Sequence, residues 1–364
     1  MQYTKAQLAR IWLRCAPIGA WRRLDKLKEK LGSAEHVWDC FTPVYYHEIG
    51  PEYFAQLADL RAEKLRSVLQ AMDAFQLRAV FLGDEEYPSL LSHIPDPPDV
   101  LFVQGSLSSE KLQKAVGMVG SRRTSRYGSS QARKIAGELA GAGVTVISGL
   151  ALGIDTAAHE GALKAGGCTI GVLGCGHAHF YPAENKELAR QMVLAGGAVI
   201  SEFPPDTPGL PYQFPVRNRI ISGLSHALLL IEAAEKSGTH STVNHALNQG
   251  REVFALPGNV DSPGSALPLK LLKEGASICT CGGDILSAMG WQEKPPVQLS
   301  LMEGDPDAEN DVILSALQLE EKTLEELIEI TGLSAQELSM QLTLLELNGR
   351  VERRAGRAYA LVRQ

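Results

Sequence analysis

Residues 203–225 read FPPDTPGLPYQFPVRNRIISGLS and follow a strand-like run at residues 197–201. Five prolines in this stretch prevent it from forming a helix interior or a central strand. Its end delivers Arg217 and Arg219, with Asn218 between them, to the first turn of a helix predicted over residues 217–223. Long, stiff loops inside a regular α/β pattern are mostly functional. We therefore predict that this loop forms one wall of a site for an anionic polymer.

On both sides of this loop, short apolar runs alternate with helix-compatible segments. Continuous apolar strands separated by helices are typical of a parallel sheet covered on both faces. The expected fold class is therefore α/β, with a doubly wound parallel sheet. The strand-like runs lie at residues 79–82, 100–103, 115–119, 144–147, 168–173, 198–200, 227–231, 253–256 and 276–279, and the further helix-compatible segments at 129–141, 156–165, 184–195, 240–249 and 266–273.

Residues 1–75 show helical periodicity only, which predicts a small helical domain ahead of the sheet domain at residues 76–291. A turn expected at Ile18 and Gly19, followed by Arg22 and Arg23, faintly resembles a helix-hairpin-helix, a motif that binds phosphate backbones. The domain is accordingly SAM-like or helix-hairpin-helix-like. The alternative is a packing domain whose arginines are solvated.

Residues 292–310 are polar, acidic and rich in proline, as in a linker, and residues 311–364 follow the order of a winged helix. The helix expected at residues 334–347 occupies the recognition position. It contains Glu337 and Glu346 but no lysine or arginine. Since a helix in a DNA groove normally brings cations, we interpret this domain as a module for partner binding or self-association.

Composition indicates a soluble globular protein of more than one domain. The chain has 364 residues, 45% of them apolar and 21% charged, and a net charge of -7. It lacks an apolar run of about 18 residues and a signal-peptide pattern, so we expect neither a membrane span nor secretion. The six cysteines form no spaced framework, which favours a reduced, cytoplasmic location.

Loops at the carboxyl ends of parallel strands are where open α/β sheets bind ligands. Between residues 117 and 137 there are five cations and no carboxylate. Gly120 lets a ligand approach the backbone, Ser121 offers a hydroxyl group, and Arg122 has the fork geometry that suits phosphate. The alternative is a solvated basic helix start. The other candidates in such loops are Arg123, Arg126, Gly149, Gly153, Gly174, Gly176, Lys186, Ser237, Gly238 and Thr239.

Catalytic and metal-binding patterns are weak. Asp155 follows a glycine turn, where an aspartate is more often a helix cap than a catalyst. His177 and His179 lack a third ligand, and only one residue separates Cys279 from Cys281, so we expect no metal. The sequence also lacks a P-loop, a dinucleotide fingerprint and a nucleophile elbow. We therefore expect no cofactor and no catalytic residue. Glu202 and Glu232 follow strands and would be recruited in a nucleotide hydrolase, but without an identified nucleophile they remain candidates for structural roles.

Several motifs occur in a fixed order: MVGSR at residues 118–122, SGLAxGIDxxAH at 148–159, GCGxxxxYPxxN at 174–185, FPxRNRIIxGLS at 214–225, SGT at 237–239 and VFAxPG at 253–258. This order closely resembles that of the bacterial DNA-processing protein A (Smf) family. The resemblance covers about residues 80–290.

The resemblance implies an extended Rossmann-like domain that binds single-stranded DNA and forms a homodimer. Members protect incoming strands during natural transformation and load a RecA-type recombinase, displacing single-strand-binding protein. By matching positions, Arg122 and Arg217 would contact phosphates and Phe214 would stack on bases or shape their path. A basic groove with an aromatic residue is what sequence-tolerant strand binding requires. Arg219 either joins this site or holds the loop to the sheet through a carboxylate.

One departure from the family concerns a lysine that members often carry shortly before the FPxRN motif. The corresponding positions here are Leu210, Pro211, Tyr212 and Gln213. Lys186 or Arg126 would have to supply that phosphate contact.

A second interpretation of the sequence is that the protein is an enzyme. The sheet with its terminal Ser-Gly-Thr loop also resembles the lysine-decarboxylase-like phosphoribohydrolases, which process nucleotides. Arginine clusters at neighbouring strand ends and a proline-held wall favour a polymer over a mononucleotide, so a non-enzymatic strand binder is the preferred prediction.

Overall fold

A computed structural model of the chain describes residues 3–59, 63–291, 313–317, 321–354 and 358–362. The chain divides into two compact units, residues 1–292 and 293–364. The first unit holds both the predicted helical domain and the predicted sheet domain. The predicted linker at residues 292–310 lies outside the described residues.

A nine-stranded sheet forms the centre of the first unit, with the strand order β1-β2-β6-β5-β4-β3-β7-β8-β9. Strands β3 to β9 run parallel to one another, which confirms the predicted α/β fold. The strands are β1 Arg78–Phe81, β2 Val100–Gly105, β3 Ala115–Val119, β4 Thr145–Ser148, β5 Thr169–Leu173, β6 Ala198–Ser201, β7 Ala227–Leu230, β8 Glu252–Ala255 and β9 Ser277–Ile278.

The edge formed by β1 and β2 differs from the rest of the sheet. These strands pair antiparallel with each other, and β2 pairs antiparallel with β6. Antiparallel neighbours need no crossover helix, and the β1–β2 connection contains only the four-residue helix Ser89–Ser92. The apolar runs predicted both strands but not their direction.

Sixteen helices with α-helical hydrogen bonding have defined bounds in the described residues. They are α1 Lys5–Arg14, α2 Ile18–Leu31, α3 Ala34–Asp39, α4 Tyr46–Ile49, α5 Pro51–Asp59, α6 Glu63–Ala74, α7 Ser89–Ser92, α8 Arg126–Gly141, α9 Ile154–Lys164, α10 Lys186–Leu194, α11 Gln213–Gly223, α12 Thr239–Asn248, α13 Ala266–Lys273, α14 Gly282–Ala288, α15 Leu324–Thr331 and α16 Ala335–Leu347. Short 3-10 turns lie at Pro43–Tyr45, Glu110–Leu112, His177–His179, Ala183–Asn185 and Pro263–Ser265.

Both faces of the sheet are covered by hydrophobic cores. Ile147 and Leu228 belong to the core on one face, and the adjacent residues Val146 and Leu229 belong to the core on the other. Since side chains alternate along a strand, both faces of each central strand are apolar. This is why the strands appear as continuous apolar runs in the sequence.

Helices α1 to α6 form the N-terminal helical module, which packs against the edge of the sheet. Ile11 of α1 shares a hydrophobic cluster with Phe81 of β1 and Phe102 of β2. The turn predicted at Ile18 and Gly19 is wrong, because both residues lie in the first turn of α2, directly after Pro17 at the N-cap. The contact with the sheet is the packing role that the sequence left as an alternative.

The second unit has the winged-helix fold that the sequence predicts. Its three-stranded antiparallel sheet has the order β10-β12-β11, with β10 Lys322–Thr323, β11 Val351–Arg353 and β12 Ala358–Leu361. Strand β10 was not predicted, because two residues carry no periodic signal. Helix α16 lies at the recognition position, starts at an N-cap on Ser334, and exposes Met340, Leu344 and Leu347.

Across the ranges that the structure describes, we find no helix with the length and apolar character needed to cross a membrane.

Candidate functional site

The candidate site lies where the strand order of the sheet reverses. From β3 the chain proceeds through α8 to β4 on one side, whereas from β7 it proceeds through α12 to β8 on the other. Loops at such a switch point diverge and leave a crevice at the carboxyl ends of the strands. A cleft of about 500 Å³ occupies this position. Of the predicted site residues, those that line it are Gly120, Ser121, Arg122, Arg123, Phe214, Arg217, Asn218, Ser237, Gly238 and Thr239.

The basic loop after β3 is held from below by Glu232, which follows β7. Its buried carboxylate accepts hydrogen bonds from the Thr124 hydroxyl and the Ser125 amide, both at 2.9 Å, and from the Ser125 hydroxyl. The Ser125 Oγ in turn accepts from the Gly128 amide at 3.0 Å and caps helix α8. Glu232 therefore has the structural role that we expected.

Three arginines lie close together after β3, two in the basic loop and one at the start of helix α8. Arg122, Arg123 and Arg126 are exposed, and none of them forms an ion pair with another residue in the described part of the chain. The Ser121 hydroxyl is not free, because it accepts a hydrogen bond from the Arg123 amide at 3.1 Å. Arg122 and Arg123 line the cleft, and unpaired cations that line a cleft raise the local concentration of anions.

Phe214 lies on helix α11, which starts at Gln213, four residues before the predicted start. The prediction failed because Pro215 was taken as a barrier to the helix. Proline is tolerated in the first turn, where the amide groups have no partner within the helix. The Phe214 ring packs over Gly174, where an added Cβ would come within 2.7 Å of the ring, and Tyr181 meets it edge-on at 6.0 Å between centroids.

Arg217 lies at the floor of the cleft. The sequence had instead predicted that this residue would lie on an exposed wall. Its side chain is only 4% exposed and donates hydrogen bonds to the carbonyl of Gly149 at 2.6 Å and to that of Val172. Burial lowers the pKa of its guanidinium to about 10, and the nearby Asp155 carboxylate opposes that shift. The hydrogen-bond partners of Arg217 in this structure are thus two backbone carbonyls and, at 3.3 Å, the side-chain oxygen of Asn218.

Asp155 organises the loop after β4 and does not cap helix α9, whose N-cap is Gly153. Its carboxylate accepts hydrogen bonds from the amides of Gly149 at 3.1 Å and Ala151 at 3.2 Å, although burial raises its pKa. Asn185 supports the same loop, because its amide donates to the Leu150 carbonyl at 2.8 Å. In the sequence, Asn185 stands out only as the last residue of the motif at residues 174–185, which predicts no role for it.

Several glycines that were predicted to allow a ligand to approach instead allow other residues of the protein to pack closely. Gly153 has φ +87°, and a Cβ there would lie 2.3 Å from the Ser121 carbonyl oxygen. A Cβ on Gly149 would lie 2.7 Å from the Arg217 guanidinium. Gly149, Gly153, Gly174 and Gly176 do not line the cleft.

Arg219 points away from the cleft and forms a buried, bidentate ion pair with Glu202, with both N–O distances at 2.7 Å. It also donates to the Asp96 carbonyl at 3.0 Å. Arg219 thus fixes helix α11 through a carboxylate, which was the second of its two predicted roles. Lys186 and Arg126 are exposed but lie outside the cleft lining.

Two histidines near the site, His159 and His177, are buried, and burial favours their neutral form. His159 Nδ1 donates to the Thr169 hydroxyl at 2.7 Å, since that hydroxyl uses its own proton on the Val146 carbonyl. Burial, with repulsion from Arg217, lowers the pKa of His159 to about 3, and burial lowers that of His177 to about 4. Among the described residues, no cluster of three or more histidine, cysteine or acidic side chains is arranged to hold a metal.

The sheet and its cleft define a Rossmann-like protein with a crevice lined by exposed arginines, joined in one chain to a winged helix. Residues 78–290 match the family model of DNA recombination-mediator protein A, and residues 295–357 match that of the DprA winged helix domain. The chain belongs to the DprA (Smf) family, as the motif order predicts.

Curated relatives include Protein Smf of Escherichia coli (strain K12), 49% identical over 203 residues, which are 56% of this chain and 54% of that protein. The DNA processing protein DprA of Bacillus subtilis (strain 168) is 39% identical over 62% of this chain and 76% of its own length. The chain thus spans about half the length of the first relative and three quarters of the second.

Two solved structures share the fold. The X-ray structure of DNA processing protein A from Streptococcus pneumoniae has a TM-score of 0.65 and 32% identity, covering 79% of this chain and 98% of that one. The protein from Helicobacter pylori, described for its unique single-stranded DNA binding mode, has a TM-score of 0.52 and 28% identity, covering 59% and 96%.

Proposed function

We propose that this protein is a non-enzymatic recombination mediator whose cleft at the switch point binds single-stranded DNA. In this role it protects incoming DNA during natural transformation and helps to load a RecA-type recombinase in place of single-strand-binding protein. It acts in the cytoplasm as a homodimer. Membership of the DprA family and the strand-binding mode described for the Helicobacter pylori relative support this proposal.

The observation that carries the proposal is the pairing of free cations with an aromatic ring in an open cleft. Arg122 is exposed and lies over the half-buried ring of Phe214, with its guanidinium carbon 5.3 Å from the ring centroid. Exposed guanidinium groups attract phosphates, and an aromatic ring accepts any base by stacking. Together they suit a strand that is recognised by its backbone and not by its sequence.

The competing function, a nucleotide-processing enzyme, requires a free carboxylate or another catalytic group at the cleft. Three carboxylates in the segments after β4, β6 and β7 are already engaged. Glu232 holds Thr124 and Ser125, Asp155 holds two loop amides, and Glu202 is paired with Arg219. These contacts favour a binding site over a catalytic one.

Fluorescence anisotropy of a labelled oligothymidylate across a salt series tests the proposed binding. We expect micromolar or tighter affinity, with log K falling linearly as log salt rises, because phosphate contacts release counterions. A mixed-sequence oligonucleotide of equal length should bind with similar affinity. Negligible binding together with release of free base from nucleoside monophosphates would instead support the enzyme.

The mediator role has a separate test. We expect the protein to shorten the lag before a RecA-type recombinase assembles on DNA that is coated with single-strand-binding protein. An unchanged lag, with strand binding intact, would contradict the loading role but leave the binding site in place.

A further inference from the structure

The N-terminal helical module contacts the proline-rich loop that leads to the cleft. Phe203, the first residue of that loop, is only 1% exposed and belongs to the hydrophobic core of the module. Its ring centroid lies 5.4 Å from that of Trp21 on helix α2. The loop therefore starts inside the module and not on the surface of the sheet.

A second contact between the module and the loop lies three residues further along the chain. Lys64 of helix α6 forms an ion pair with Asp206, and both side chains are about three-quarters buried, with exposures of 28% and 24%. This pair is better shielded from solvent than an exposed surface pair, so it is less weakened by salt. It joins the last helix of the module to the loop.

On its other side, the loop is bonded to the segment that follows β5. The Gly176 amide donates to the Thr207 carbonyl, and the Ala178 amide donates to the Pro205 carbonyl, both at 2.9 Å. Close packing accompanies these bonds, because a Cβ on Gly176 would lie 2.2 Å from the Pro204 carbonyl oxygen. Residues 203–207 are thus held between the module and the segment at residues 174–178.

The segment after β5 and a later part of the loop, at Gly209, flank the aromatic ring of the cleft. An added Cβ would lie 2.7 Å from the Phe214 ring if placed on Gly174 and 3.7 Å from it if placed on Gly209. The ring position therefore depends on how the loop lies against the segment after β5. A continuous series of contacts joins the module, the loop and Phe214.

We propose that the N-terminal helical module is a positioning element for the cleft, acting through the contacts Trp21–Phe203 and Lys64–Asp206. This inference rests on the proposed strand binding. If the module fixes the loop in the binding geometry, module docking and strand binding are linked, and each stabilises the other by the same free energy. The module touches the loop, and the loop positions the residues that meet DNA.

The substitution Asp206→Asn separates positioning from simple charge effects. Removing a negative charge should tighten DNA binding if electrostatics alone decides. A positioning role predicts the opposite, a three- to tenfold weaker affinity, with an unchanged salt slope because no phosphate contact is lost. Asp39→Asn is the matched control: it also removes one carboxylate, at an exposed pair with Lys5 within the module, and should not weaken binding.

The reversed pair Lys64→Asp/Asp206→Lys restores the contact without changing the net charge, and we expect it to recover most of the lost affinity. Hydrogen exchange in the free protein gives a readout without DNA. In Asp206→Asn, the amides of Gly176 and Ala178 should exchange faster than in the wild type. In the wild type, added oligothymidylate should slow exchange in helix α6.

Unchanged or tighter binding by Asp206→Asn, or weaker binding without faster exchange at residues 176–178, would overturn the positioning role. If the wild type failed to bind the oligonucleotide at all, the proposed function would fail first. The exchange comparison in the free protein would then still show whether Asp206 fixes the loop.

Discussion

The guanidinium carbon of Arg122 lies 5.3 Å from the centre of the Phe214 ring, although the two residues come from different segments at the carboxyl edge of the sheet. Arg122 belongs to the basic loop after β3, and Phe214 belongs to the first turn of α11. A strand that enters the cleft would meet a cation and an aromatic face together. Stacking of a guanidinium on an aromatic ring also limits the rotamers of the arginine, so less entropy is lost on binding.

Replacing Arg122 with alanine should weaken strand binding to a similar extent for all sequences, because phosphate contacts carry no sequence information. We expect the slope of log K against log salt to become shallower by about one phosphate equivalent, or roughly 0.7 for a single strand. Anisotropy titrations at several salt concentrations measure both quantities. Arg190→Ala, at an exposed residue paired with Glu187, is a suitable control and should leave the slope unchanged. A change in base preference at constant affinity would contradict the assigned role.

Replacing Phe214 with alanine should reduce affinity with little change in salt slope, since stacking releases no counterions. Loss of one stacked base corresponds to about 1–3 kcal/mol, a drop of roughly 5- to 150-fold. Phe214→Tyr keeps the aromatic face and should bind nearly as well as the wild type. If alanine and tyrosine behaved alike, base stacking would not be the role of this ring.

Replacing Arg219 with alanine should destabilise the first unit without removing a DNA contact. Glu202, whose side chain is 2% exposed, would be left as a buried and unpaired carboxylate, at a cost of about 3–5 kcal/mol. The double substitution Arg219→Met/Glu202→Leu removes both charges and should recover much of this loss. Urea denaturation of the two variants measures the difference. Equal instability of the single and double variants would show that the ion pair is not the cause.

Replacing His159 with glutamine should remove part of the acid sensitivity of the fold. The pKa of His159 is about 3 in the folded protein, below the ordinary value of 6.5. Between these values the unfolded chain binds a proton that the folded chain does not, so stability falls as pH falls, by about 1.4 kcal/mol per pH unit for this group. Above pH 6.5 it contributes no pH dependence.

Urea denaturation at pH 7, 6 and 5 gives the difference in unfolding free energy between His159→Gln and the wild type. His177 has the same sense of pH dependence and Asp155 the opposite sense, but both are present in the two proteins and cancel in the difference. A difference that is constant from pH 7 to pH 5 would show that His159 is not buried as a neutral group.

Much of the fold is predictable because strands that are buried on both faces leave continuous apolar runs. Strand β3 has the predicted bounds, and the other parallel strands lie within two residues of theirs. The order of loops then places the site at the carboxyl edge, where ten of the predicted residues line one cleft. These features are predictable because they depend only on residues that are close together in the sequence.

The direction in which each arginine points was not predictable. Arg217 and Arg219 are two residues apart in the same helix, yet one lies under the cleft and the other meets a carboxylate on a separate segment. Their environment depends on residues that are distant in sequence, Gly149 and Glu202. The packing of Phe203 in the helical module also depends on residues that are distant in sequence. It was not predicted, because one phenylalanine at the start of a loop carries no periodic signal.

A crystal structure of the full chain with a short oligothymidylate tests the central claim most directly. We expect a phosphate group within hydrogen-bonding distance of Arg122 and a base against the ring of Phe214, with the strand following the carboxyl edge of the sheet. A strand bound to another face, with the cleft at the switch point left empty, would contradict the account.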